Sequence, residues 1–69
     1  MEFNYDPEAN MAYLQLARVR PRSVANTVVI EDADLPGDLA VDLDAKGHIL
    51  GIEIFDARRS LDPTMLGER

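Results

Sequence analysis

The chain has 69 residues, 46% of them hydrophobic, with 13 acidic against 7 basic side chains and a formal net charge of −6. That length admits one small domain over residues 1–69; folding at this size withdraws only about 60% of the unfolded surface from water, so the core is marginal and a second copy is an expected partner. No cysteine and a single histidine exclude disulfides, thiolate metal sites and histidine clusters, and a pI near 4.4 argues against nucleic acid and anionic membrane as partners.

Residues 2–6, Glu-Phe-Asn-Tyr-Asp, alternate with period two and predict a first strand, closed by turn chemistry at Asp6-Pro7-Glu8-Ala9-Asn10. Met11-Ala12-Tyr13-Leu14-Gln15-Leu16 is read as a second strand; its helix-forming residues compete, but Pro7 and Pro21 leave little room for a helix. Arg18-Val19-Arg20-Pro21-Arg22 reads as a loop or strand edge and is the basic patch of the chain. Residues 23–31 hold Val24, Thr27, Val28, Val29 and Ile30, a β-branched run that predicts a third strand buried on both sides.

The acidic connector 32–37 ends in Pro36-Gly37, suited to a type II turn. A one-sided strand follows over 38–44, with Leu39, Val41 and Leu43 alternating with Ala40, Asp42 and Asp44. Asp44-Ala45-Lys46-Gly47 predicts a tight hairpin with Gly47 at positive φ. Residues 48–55 predict a central strand in which Gly51 marks a bulge or a close backbone approach. Asp56 would cap a short helical turn over 56–61, and residues 62–69 form a tail expected to be flexible or used in association.

Three blocks carry a family likeness: Tyr5-Asp6-Pro7-Glu8-Ala9, Met11-Ala12-Tyr13-Leu14-Gln15-Leu16, and Gly51-Ile52-Glu53-Ile54-Phe55-Asp56-Ala57. In order and spacing they resemble DUF2283, a family of small bacterial domains of unknown function. The chain departs at Asn10-Met11-Ala12, where the family typically has an acidic residue and a leucine, and in its connector Leu35-Pro36-Gly37-Asp38. The resemblance implies a small antiparallel β meander, often oligomeric, with no catalytic residues to carry over. It also implies an antitoxin-like role, since some members sit beside toxin-like genes.

Residues 42–53 copy several positions of an EF-hand calcium loop, but Lys46 stands where an oxygen ligand is needed and both flanks alternate as strands, so a hairpin is the reading. The acidic stretch Glu31, Asp32, Asp34, Asp38, Asp42 and Asp44 is a solvated surface, a contact for a small basic protein or, least favoured, a magnesium site, and Asp32, Asp34 and Asp38 are its candidate partner-binding residues. Arg18, Arg20 and Arg22 are candidates as well, as carboxylate partners or edge gatekeepers. Glu53 is expected to pair with an arginine across the sheet, and His48 to be exposed beside the hairpin. Serines and threonines lack an adjacent base, so no catalytic residue, metal ligand or cofactor site is assigned.

The expected fold is mainly β: an antiparallel meander of four to five strands with a short C-terminal helical turn. Its core is drawn from Leu14, Leu16, Val28, Ile30, Leu39, Val41, Leu43, Leu50, Ile52 and Ile54. Phe3, Tyr5, Tyr13, Val29, Ile49 and Phe55, with Met65 and Leu66, form a reverse face that a homodimer would cover. A cytoplasmic location is expected, because Met1-Glu2-Phe3-Asn4-Tyr5 has no signal-like pattern and apolar runs such as Thr27–Ile30 fall far short of a membrane span. The expected function is a non-catalytic protein–protein interaction module; the alternative is a ligand-binding protein or enzyme with Glu53, His48 and Tyr13 at a homodimer interface.

Overall fold

A computed structural model describes residues 1–18 and 23–67. Five strands, β1 (Glu2–Asp6), β2 (Met11–Gln15), β3 (Asn26–Ile30), β4 (Leu39–Leu43) and β5 (Ile49–Phe55), are followed by a helical turn α1 (Ala57–Ser60) and a 3₁₀ turn (Pro63–Leu66). All strands pair antiparallel in one sheet of order β1-β2-β5-β4-β3. The mainly β, antiparallel expectation holds: β3, β4 and β5 form a meander, and the β1–β2 hairpin docks its second strand on β5. β5 is central, as its aliphatic content predicts.

Register sorts the side chains. One face carries Phe3 and Tyr5 from β1, Ala12 and Leu14 from β2, Ile52 and Ile54 from β5, Leu39 and Val41 from β4, and Val28 and Ile30 from β3. Phe3 and Tyr5 are therefore on the core face, not the reverse face expected for them, because Phe3 lies opposite Leu14 and Tyr5 opposite Ala12. The reverse face carries Tyr13, Phe55, Glu53, Asp42, Thr27 and Val29.

The chain returns over the core face at its β1–β2 side. Ala12, Ala57 and Leu66 form the buried cluster there, with Phe3, Tyr5, Ile54 and Leu61 packed around it. Within the segment expected to be flexible or used in association, residues 63–66 pack on the chain itself: Asp62 accepts from Thr64 N at 2.9 Å to start the 3₁₀ turn, and Leu66 is 9% exposed. Burying that side chain stabilises by about 2 kcal/mol. Met65 stays in solvent.

Asp56 does not cap α1 with its side chain, as expected of it; it adopts the left-handed conformation (φ 50°) that turns the chain out of β5. Asn10, also left-handed (φ 54°), faces it. Asn10 Nδ2 donates to Asp56 Oδ1 at 2.9 Å, while Asn10 Oδ1 accepts from Arg58 N at 2.9 Å and Asn10 O from Ala57 N at 3.0 Å. Asn tolerates this backbone region better than most residues. The first turn and the start of α1 are thus bolted together.

The turns partly follow expectation. Gly47 has φ 84° in the β4–β5 hairpin. In the β3–β4 connector the turn closes earlier than Pro36-Gly37, with Leu35 N donating to Asp32 O at 3.0 Å, and Gly37 does not adopt positive φ. Glycine is required there by proximity: an added Cβ would lie 2.7 Å from Phe55 O. The bulge predicted at Gly51 falls beside it, where Asp42 pairs Gly51 but Leu43 pairs Ile49.

The largest departure is β3. The expectation of burial on both sides fails: every residue of the strand is exposed, with Val28, Val29 and Ile30 at 43%, 55% and 39%. Among the described residues β3 is an edge strand with a neighbour on one side only, and α1 with the 3₁₀ turn covers the other end of the sheet.

Candidate functional site

The reverse face holds a polar ladder that crosses four strands. Tyr13 on β2 lies over Gly51 on β5 and donates its hydroxyl to Asp42 Oδ2 on β4 at 3.1 Å; Thr27 on β3 donates to Asp42 Oδ1 at 2.7 Å. Gly51 makes the crossing possible, since an added Cβ would strike Tyr13 Oη and stand 2.5 Å from its Cζ. Burial of the ring, then the hydrogen bond to Asp42 and the charges of Asp42 and Glu53, raise the Tyr13 pKa above its ordinary value. Glu53 lies between Tyr13 and Ala40 in the register, so it has uncharged neighbours in place of the expected arginine. Beside it an open groove of about 270 Å³ runs past Asn4, Asp6, Met11 and Tyr13.

At the hairpin end, Asp44 Oδ1 accepts from His48 N at 2.8 Å and Lys46 N at 2.9 Å, and Asp44 Oδ2 stands 3.0 Å from His48 Nδ1. The His48 backbone bond, with its side chain and the Lys46 N–H, lowers the Asp44 pKa. His48 is exposed as expected, but it is tied to the turn that presents it. Five residue steps, with four residues between, separate it from Glu53, roughly 16 Å. Of the three side chains named for a ligand site or enzyme, Tyr13 and Glu53 are register neighbours and His48 lies apart from them.

The partner-binding candidates divide between the two ends of the sheet. Asp32, Asp34 and Asp38 are exposed in the β3–β4 connector, where Asp32 Oδ1 accepts from Asp34 N at 2.8 Å and Asp38 O from Phe55 N at 3.0 Å. Arg18 lies at the opposite end, along a groove with Asp44, Lys46 and His48. β4 separates the two groups by roughly 20 Å. Arg20 and Arg22 lie outside the described residues. Asp42 and Asp44 leave the acidic stretch to serve the ladder and the hairpin, which also accounts for the calcium-loop spacing. Among the described residues no group of three or more His, Cys, Asp or Glu is placed to hold a metal, and no helix is long and apolar enough to cross a membrane.

Sequence reasoning missed the Asn10–Asp56 bolt and the pairing of Thr27 with Asp42. Only Gly51, an unexpected gap in a strand of large aliphatics, gave a signal for the ladder.

The blocks that carry the family likeness now have structural roles: Asp6 accepts from Glu8 N and Ala9 N in the first turn, Tyr13 starts the ladder, and Gly51 and Asp56 admit the ring and the turn into α1. A family model described as a protein of unknown function, DUF2283, matches residues 2–58. The chain belongs to the DUF2283 family. No curated protein and no solved structure matches it. The DUF2283 match spans all five strands and the entry into α1, so the bolt and the ladder both lie within the family's domain.

Proposed function

We propose that this DUF2283 domain is a non-catalytic protein–protein interaction module that assembles as a homodimer. The observation that carries this reading is the aliphatic surface at the β3 side of the sheet, where Val28, Val29 and Ile30 are exposed on a strand free of charged residues. Aliphatic surface concentrated on one element is characteristic of a contact surface. The exposed Asp32, Asp34 and Asp38 at the end of that surface suit a small basic protein as a further partner, in an antitoxin-like masking role.

Light scattering or intact-complex mass at about 10 µM tests the self-association, at a concentration typical for moderately stable dimers. The expected result is twice the chain mass of 7.7 kDa; a monomeric mass overturns it. A second reading, a small-ligand site, draws on the groove beside Tyr13 and Glu53. A ligand screen read by melting temperature separates the two, because occupancy of that groove raises the melting point without changing the mass.

A further inference from the structure

Among the described residues the sheet has two free edges, and they differ in a way that selects one of them for association. On β1, antiparallel pairing with a second copy about a twofold axis at Asn4 would set Glu2 opposite Asp6 of the partner, carboxylate against carboxylate at both ends. Phe3 and Tyr5 of that edge are already packed under α1 and the 3₁₀ turn. On β3, the same operation about Val28 sets Val28 opposite its copy, Thr27 opposite Val29 and Asn26 opposite Ile30, with no charge in any pair. Continued past the strand, it sets Glu31 opposite Ala25 and Asp32 opposite Val24, again without a like-charge contact.

Among the described residues β3 also lacks the devices that protect a free edge. It has no lysine, no proline and no inward charge, and its pairing with β4 is regular from Asn26 to Ile30. Its exposure extends to both faces, with Val28 and Ile30 on the core face and Thr27 and Val29 on the reverse face. A molecule stacked on the core face would cover only the first pair. A strand laid beside β3 covers both, and it satisfies the outward backbone N–H and C=O groups at the same time.

The geometry points to β3 as the dimer seam: two copies pair their β3 strands antiparallel across a twofold axis at Val28, joining two five-stranded sheets into one of ten. This pairing rests on the self-association proposed above and names its surface. The occupant is a second copy because the strand meets itself with no charge in any pair and with β-branched side chains facing each other at Val28–Val28 and Thr27–Val29.

Opposite charges at the axis provide the test. Val28→Lys and Val28→Glu each set like charges face to face, so each variant alone loses the dimer and runs as a folded monomer by circular dichroism and light scattering. An equimolar mixture of the two regains a dimeric mass, as a heterodimer. Val28→Cys gives a second readout that keeps the site small and apolar: the chain has no other cysteine, and facing Cα atoms on paired strands lie within disulfide reach, so oxidation yields a covalent dimer while Asn4→Cys at the other edge does not. If the unaltered chain is monomeric, the homodimer and this seam fall together. If the unaltered chain is dimeric and both charge variants remain dimeric, or fail to recombine on mixing, or Val28→Cys does not cross-link, the seam is overturned and the homodimer stands on another surface.

Discussion

Gly51 and Tyr13 show how one missing side chain organises a face. A Cβ at Gly51 would meet the Tyr13 ring and stand 2.9 Å from Leu14 O, so Gly51→Ala expels the ring and breaks its bond to Asp42. The expected cost is about 2 kcal/mol, the size of other overpacking changes; a denaturant midpoint equal to that of the unaltered chain contradicts the ladder. Tyr5 presents the opposite case, a buried hydroxyl with no hydrogen-bond partner among the described residues. Tyr5→Phe removes an uncompensated polar group, and a gain of about 1 kcal/mol is expected in the same measurement. The chain has two tyrosines, so this variant leaves Tyr13 as the sole phenol to titrate. Since burial and Asp42 raise the Tyr13 pKa in the fold, its contribution to stability is complete below the unfolded value of about 10 and is lost as pH rises through the higher folded value. Absorbance titration of the folded variant checks this: ionisation at or below the unfolded value would mean that the ring does not engage Asp42.

At the scale of elements, the C-terminal segment works as a clip. Leu66 and Ala57 bury themselves against Ala12, and Asn10 holds the start of α1. Leu66→Ala is expected to cost about 2–3 kcal/mol, which for a domain of this size lowers the melting temperature by roughly 10 °C or more; an unchanged melt would show the 3₁₀ turn to be dispensable. Strands were legible because period-two alternation survives in short segments, and Gly47 because a tight hairpin demands positive φ. Adjacency was not legible: alternation along β2 says that Leu14 and Ala12 share a face, but nothing in it says that the neighbour is Ile52 of β5 and not a residue of β3. The faces of Phe3 and Tyr5 depended on that missing register. The apolar run of β3 predicts burial on both sides, yet a strand covered on both faces and an exposed edge strand can carry the same residues. Site residues suffered likewise, since Thr27 and Asp42 meet only through strand pairing.

For the whole molecule, charge opposes the proposed assembly. Each copy carries −6, and the β3 seam contributes no ion pair of its own to offset their repulsion. Added salt shortens the screening length from about 30 Å at 0.01 M to about 8 Å at 0.15 M, so the dimer is expected to tighten with ionic strength. Sedimentation across that range checks it; dissociation on adding salt would point to an interface made by unlike charges, such as the acidic connector.

The sheet order also sets a sequence of events in folding. β1 with β2, and β3 with β4 and β5, are each joined by short connections and can pair locally, whereas Met11 finds Phe55 and Gln15 finds Gly51 only across most of the chain. Closing that long loop is the slow part of folding, and the Asn10 bolt can engage only once Arg58 exists. Until β2 docks, the flank of β5 that receives it remains a second open strand edge, so a partly folded chain is most prone to pair wrongly with its neighbours at that stage.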